Sequence, residues 1–221
     1  MSGLSDYSGR NLIDWLTGKD AMPSLPTAYL ALITTAPSDA NAGGVETDYP
    51  SYARKATAAG DWNAAAGSAP ASATNAASIA FPTPTGDPSN NPVIGLAMYD
   101  APTSGNLLAF DYLGAHDWQP FFANTTDIVS AKAHAFLAND RVVFTAEFGG
   151  VLPTGIVAGT IYHVIAANLA TDAFSVSATQ GGSAVDITAT GSGMVRKVTP
   201  MNVNSGITPR FEAGALSLKA A

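Results

Sequence analysis

The side chains best suited to catalysis are few and scattered. The 221 residues contain three histidines, His116, His134 and His163, and no cysteine. His116 and Asp117 are the one adjacent pair of a histidine and an acid, and such a pair could serve a metal ion or act as a general base. Either role needs further ligands or a nucleophile nearby. Because the sequence supplies none, we expect packing or surface positions for all three histidines.

Two carboxylates could resemble the paired acids of a glycosidase, since Asp100 and Asp111 could face each other across a hairpin. In the alternative that we favour, Asp100 caps a turn and Asp111 ends a strand. Asp39, Glu46 and Asp48 could bind calcium but lack the spacing of a calcium loop. We therefore predict no catalytic residue, no metal site and no cofactor, and a protein that is not an enzyme.

Aromatic residues in or near loops are the best candidates for contacts with other proteins, because aromatic side chains and arginine are enriched in interfaces. Packing inside the chain's own core is an equally good explanation for each of them. The predicted contact residues are Tyr49, Tyr52, Arg54, Trp62, Trp118, Phe121 and Phe122.

Charge and hydropathy limit the partners. Charged residues make up 12% of the chain, and the formal net charge is −7. An acidic protein without clusters of lysine and arginine is a poor ligand for the nucleic-acid backbone, so we expect no nucleic-acid partner. No segment approaches the roughly 20 apolar residues of a membrane span, and the start of the chain lacks the pattern of a signal peptide. We expect a soluble protein that is made in the cytoplasm and has no membrane partner.

The elements that could position these residues are a short helix near the start of the chain and a series of short strands after it. Residues Ser5 to Gly18 suit a short helix, with Leu12, Ile13 and Leu16 on one apolar face that Trp15 extends. Short β-rich runs separated by turn residues follow, so the fold class is all-β. Between the second and third predicted strands, Ala58 to Asn75 is predicted to be a long arm or loop. The predicted strands are Ala28–Thr34, Tyr52–Ala56, Ser78–Phe81, Val93–Tyr99, Asn106–Tyr112, Thr160–Ala166, Ala173–Ser177, Ala184–Thr188 and Gly193–Val198.

Several of these runs resemble small virion proteins of tailed bacteriophages that are labelled tail fibre or head decoration proteins. The likeness is carried by the motifs Leu30 to Pro37, Gly43 to Glu46, Tyr52-Ala53-Arg54, Tyr99-Asp100-Ala101, Gly105 to Leu108 and Phe211 to Leu218. A second likeness, to a module of phage tail and virion proteins, covers Ala133 to Val198. Because the closing motif arrives about 100 residues late, we infer that this module is inserted into the first domain. One continuous barrel of many strands is the alternative.

The resemblance implies an architecture and a function. We expect a jelly-roll or sandwich-like core domain at residues 1–124 plus 199–221, which attaches to the capsid, and an outward-projecting inserted β module at residues 125–198, a small barrel or sandwich. The main functional hypothesis is a capsid decoration protein, also called a cement protein, on the capsid exterior. Its expected partners are the major capsid protein and further copies of itself in a dimer or trimer. In the alternative, a tail fibre or tail-associated protein uses the inserted module to bind the host surface, through a host glycan. A third, weaker hypothesis is a glycan-cleaving enzyme.

Overall fold

The computed structural model describes residues 4–21, 27–67, 71–114, 117–147 and 150–220. The chain forms two compact units. One is continuous, Leu113–Thr199, and the other combines Ser2–Tyr112 with Pro200–Ala221. We call them the barrel unit and the core unit. The predicted division placed residues 113–124 with the core, whereas the structure groups them with the barrel.

The core unit begins with helix α1 (Asp6–Leu16), as predicted. Ser5 caps it, since its side chain accepts a hydrogen bond from the Ser8 amide at 3.2 Å. The strands of the central sheet are β1 (Ala28–Thr35), β2 (Val45–Glu46), β3 (Lys55–Thr57), β6 (Gly95–Tyr99) and β7 (Leu107–Tyr112). The sheet is antiparallel, in the order β2-β1-β6-β7, and β3 also pairs with β1.

The apolar core of this unit follows from β1, whose middle four residues are all buried. A strand buried on both faces reads as a continuous apolar run rather than an alternating one. Leu32 and Ile33 are fully buried, and Ala97 and Leu107 from the neighbouring strands join this core.

Two short antiparallel ribbons complete the core unit. They pair β4 (Ala71–Thr74) with β15 (Ser217–Ala220) and β5 (Ile79–Ala80) with β14 (Arg210–Phe211). The segment predicted as an arm therefore contains a short 3-10 helix, Ala59–Asp61, and strand β4. In both ribbons one strand comes from before the barrel and the other from after it.

The barrel unit contains six strands, β8 (Gln119–Ala123), β9 (Val129–Ser130), β10 (Arg141–Thr145), β11 (Ile161–Ile165), β12 (Ala173–Ser177) and β13 (Gly191–Val198). They form a closed barrel in the order β10-β11-β12-β9-β8-β13. Phe144 and Phe174 fill its interior and are fully buried. The predicted strand Ala184–Thr188 does not form. Instead, Val185 donates one hydrogen bond to Val176 and Ile187 donates one to the Asp127 carboxylate.

The chain is thus mostly β, with one short N-terminal helix and an inserted small barrel. Within the described ranges, no helix is long and apolar enough to cross a membrane.

Candidate interaction surfaces

Arg54 lies at the centre of an internal polar cluster in the core unit. Its Nη2 is 2.7 Å from Glu46 Oε1 and its Nε donates to the same oxygen at 3.0 Å. Its Nη1 donates to the carbonyls of Ala101 and Ser104 at 2.9 and 2.7 Å. The guanidinium carbon lies 3.6 Å from the centre of the Tyr99 ring, a cation–π contact. Only 8% of the Arg54 side chain is exposed, so this cation is used inside its own unit.

Strand β1 assembles this cluster because it pairs with three others. Glu46 of β2 lies opposite Ile33, and β3, which directly follows Arg54, pairs with the first residues of β1. Tyr99 of β6 lies opposite Tyr29 at the same end of β1. Residues far apart in sequence thereby meet along one strand.

Two tyrosines extend the cluster inward. The Tyr52 hydroxyl donates to Glu46 Oε2 at 2.6 Å and accepts from the Leu32 amide at 3.1 Å. Burial, followed by the hydrogen bond and charge of Glu46, raises the pKa of Tyr52 above its usual range. Tyr49 packs edge-to-face on Tyr52 and donates to the carbonyl of Pro82. Tyr49 is 2% exposed, and burial raises its pKa to about 12. Tyr49, Tyr52 and Arg54 therefore stabilise the core unit and present little side-chain surface to a partner.

The two predicted tryptophan contacts are half-buried. Trp62 follows the 3-10 helix and forms an isolated bridge with Asn75. Trp118 lies directly before β8. Neither side chain is freely exposed, so each is a weaker contact candidate than a protruding ring.

Phe121 and Phe122 point to opposite sides of β8, as successive strand residues must. Phe121 is 5% exposed and packs edge-to-face on Phe144 inside the barrel, with ring centres 5.0 Å apart. Phe122 is 51% exposed on the outside. In the strand register it lies opposite Ser192 of β13 on one side and Ser130 of β9 on the other. Phe122 is the one predicted contact aromatic whose ring stands out from the described surface.

The acidic residues weighed as catalytic groups have structural roles. Asp100 accepts hydrogen bonds from the amide and the side chain of Asn106, both at 2.7 Å, and so caps the turn between β6 and β7. Asp111 pairs with Leu96, four positions before Asp100. At roughly 3.3 Å per residue, the two backbone positions lie about 13 Å apart along the hairpin, so Asp100 and Asp111 do not lie opposite each other as the paired-acid hypothesis required.

Asp48, one of the acids considered for calcium, anchors a loop instead. Its carboxylate accepts hydrogen bonds from the Ser89 hydroxyl and from the Ser89 and Asn90 amides. These hydrogen bonds lower the pKa of Asp48. Among the described residues, no three histidines or acids come together as they would around a metal ion.

The histidines remain apart. His134 is buried between Phe136 and Phe174, with ring centres 4.8 and 4.9 Å away, and its Nδ1 accepts the Phe136 amide. His163 is half-buried on β11, where burial and then the charge of Arg141 lower its pKa. His116 lies outside the described residues.

Sequence reasoning missed one exposed surface. It placed Leu12, Ile13 and Leu16 on one apolar face of α1, extended by Trp15, without predicting what that face contacts. Ile13, Leu16 and Trp15 are 61%, 68% and 50% exposed, Leu12 is half-buried, and no residue of α1 is fully buried. The amphipathic pattern was visible in the sequence, but not which way the helix would turn.

Comparison with known proteins gives one family. Residues 3–149 match the family described as podophage GP4 fiber I protein gp80. The match spans the first part of the core unit and strands β8, β9 and β10 of the barrel. No curated protein matches the chain. Because the match covers more than half of the sequence, the chain belongs to this family of phage virion fibre proteins.

Proposed function

We propose that this chain is a non-enzymatic fibre component of a tailed-phage virion and that its barrel unit binds the surface of the host bacterium. The observation that carries the proposal is the family match, because the matched family is described as a fibre protein. That description supports the fibre hypothesis over capsid decoration and makes a tail structure, rather than the major capsid protein, the expected site of attachment.

The outer surface of the barrel around Phe122 supports a glycan as the host ligand. Ser130, Phe122 and Ser192 lie side by side on three neighbouring strands, about 5 Å apart. A sugar ring offers C–H groups that suit an aromatic face and hydroxyls that suit serine hydroxyls. An exposed ring between two hydroxyls therefore fits one sugar unit of a surface polysaccharide.

Binding to host cells tests this proposal directly. Fluorescently labelled protein is incubated with cells of the bacterium that the parent phage infects, and bound fluorescence is measured by flow cytometry. We expect saturable binding that falls at least fivefold with Phe122→Ser. Leu137→Ser is the matched control, since Leu137 is 66% exposed elsewhere on the barrel unit. Equal binding by both variants, or no binding by the unmodified protein, would contradict the role of the barrel.

Location on the virion separates the two structural hypotheses. Gold-labelled antibodies against the protein are applied to intact virions and located by electron microscopy. We expect label at the tail end of the particle. Label distributed over the capsid surface would instead support the cement protein and sink the fibre proposal.

A further inference from the structure

A second exposed apolar side chain lies beside the Phe122 surface of the barrel unit. The Ser192 amide of β13 donates to the Val151 carbonyl at 3.0 Å, on the side of β13 away from β8. Leu152 packs against the barrel core, whereas Val151 is 75% exposed, so the Val151 methyl groups lie on the outside. Val151 therefore continues the row of Ser130, Phe122 and Ser192 by one position.

A glycine in β13 holds Val151 in this place. A Cβ atom on Gly191 would lie 2.6 Å from the Val151 carbonyl oxygen and closer still to the Pro153 nitrogen, nearer than real Cβ atoms approach. Because Gly191 has no side chain, the segment from Val151 to Pro153 can lie directly against β13. Backbone packing thus fixes the exposed valine next to Ser192.

The strand positions around Phe122 carry no charge. Pro120 faces outward with Phe122, two residues away on β8. Met194 lies opposite Pro120, and Thr145 lies opposite Met194. Residues 113–199 of the barrel unit include six acids and four basic residues, a net charge of −2. An acidic sugar would find no cation at these positions and would be repelled by the net charge, so a neutral glycan fits this surface better.

The distance between Phe122 and Val151 separates two sugar units. The two residues are two strand spacings apart, about 10 Å, which is wider than one sugar ring. A ring stacked on Phe122 therefore leaves Val151 to the next sugar of the chain. The side chain of Val151 offers only carbon atoms, so it favours a methyl group over a hydroxymethyl group, whose hydroxyl would lose water without gaining a hydrogen bond.

Among sugars that carry a methyl group, a 6-deoxyhexose suits Val151 better than an N-acetylated sugar. In a 6-deoxyhexose the methyl group is bonded directly to the ring. An N-acetyl group also ends in a methyl group, but its amide needs hydrogen-bond partners of its own. The nearest carbonyl, that of Val151, already accepts the Ser192 amide.

We propose that Phe122 and Val151 form two adjacent subsites for a neutral oligosaccharide, and that Val151 selects a 6-deoxyhexose by contact with its C6 methyl group. Ser192 lies between the subsites and offers its hydroxyl to either sugar. This inference rests on the proposed binding of a host glycan by the barrel unit and adds the class of sugar. Burial of one methyl-sized group corresponds to a preference of about fourfold over the matching hexose.

A glycan array tests the class of sugar with the full chain. The array carries oligosaccharides of D- and L-rhamnose and L-fucose beside those of D- and L-mannose and L-galactose, which differ from them only by the hydroxyl at C6. Oligosaccharides of N-acetylhexosamines and uronic acids are included. We expect at least one 6-deoxyhexose to bind about fourfold more tightly than its matching hexose. A preference below twofold, tighter binding of the N-acetylated or acidic oligosaccharides, or no binding of any 6-deoxyhexose would overturn the proposal.

A pair of matched substitutions ties the preference to Val151. Val151→Thr keeps the shape of the side chain and replaces one methyl group by a hydroxyl, so we expect the preference to disappear while binding through Phe122 remains. Val157→Thr is the control, since Val157 is 61% exposed in the same connection between β10 and β11 and should leave the preference unchanged. An unaltered preference in Val151→Thr refutes the second subsite. If Phe122→Ser still weakens cell binding in that case, host binding stands without the subsite, whereas cell binding indifferent to Phe122→Ser refutes both proposals.

Discussion

Replacing Arg54 distinguishes a residue that holds the core unit together from one that contacts a partner. Arg54→Ala removes an ion pair at 2.7 Å, two hydrogen bonds to backbone carbonyls and a cation–π contact. Breaking a buried pair by removing one partner costs about 3–5 kcal/mol. Glu46 keeps 26% side-chain exposure and its bond from Tyr52, so the lower end of that range, about 3 kcal/mol, is expected.

Arg54→Lys keeps the charge but not the planar group that reaches one carboxylate oxygen and two carbonyls. We expect this variant to lose about 1–2 kcal/mol, because an ammonium group cannot reproduce that geometry. Arg210→Ala is the matched control. Arg210 pairs with Glu212 at 2.5 Å, but both side chains are 61% exposed, and exposed pairs contribute about 0–1 kcal/mol.

The assay must separate the core unit from the barrel unit. Urea denaturation is monitored by hydrogen exchange on peptides from β1. Exchange in these peptides reports the opening of the core sheet alone. A loss of 3 kcal/mol lowers the urea midpoint by roughly 1–3 M. If Arg54→Ala lowers the free energy of opening of β1 by less than about 1 kcal/mol, yet the protein binds virions or cells poorly, the internal role is refuted. Arg54 would then be a contact residue.

Two further predictions concern single polar residues. Asn75 is fully buried; it donates to the Glu212 carbonyl at 2.7 Å and accepts from the Leu216 amide at 2.8 Å. Asn75→Ala should cost the core unit about 3 kcal/mol, measured by the same exchange assay, because buried groups lose their partners; a loss below 1 kcal/mol would contradict this. Burial and the charge of Arg141 lower the pKa of His163 from 6.5, so the folded barrel favours the neutral ring. The barrel should lose stability as the pH falls below 6.5 and the unfolded chain takes up the proton, and His163→Gln should flatten this pH dependence of the urea midpoint. An equal slope in both proteins would speak against it.

The sequence predicted elements well and their partners poorly. The periods of α1, β1 and β12 are local properties, so their bounds were predicted closely. Residues 184–188 have the alternation of a strand but lie beside the closed barrel, where each strand already has two neighbours. Alternation shows that one face is buried, not that a neighbouring strand is available.

The predicted contact residues show the same limit of local sequence patterns. Tyr52 and Arg54 suit a surface as well as a core, and their inward position depends on the pairing of β1 with β2 and β3. For Phe121 and Phe122, the period of two places the rings on opposite sides, and Ala123 marks the inner side because it is fully buried. Which ring remains outside depends on the face of β8 that is buried when the barrel closes. A local sequence pattern does not show which face that is.

The order of the chain also constrains how it folds. The ends of the barrel unit meet, since the Thr199 amide donates to the Leu113 carbonyl at 2.9 Å. Met201 then bridges Val93 through two hydrogen bonds of 2.9 Å, and β14 and β15 pair with strands made before the barrel. The core unit therefore cannot complete its ribbons until the whole barrel has been synthesised. The barrel brings its own two ends together as it closes. The two segments of the core unit, which are far apart in sequence, are then connected as if by a short loop.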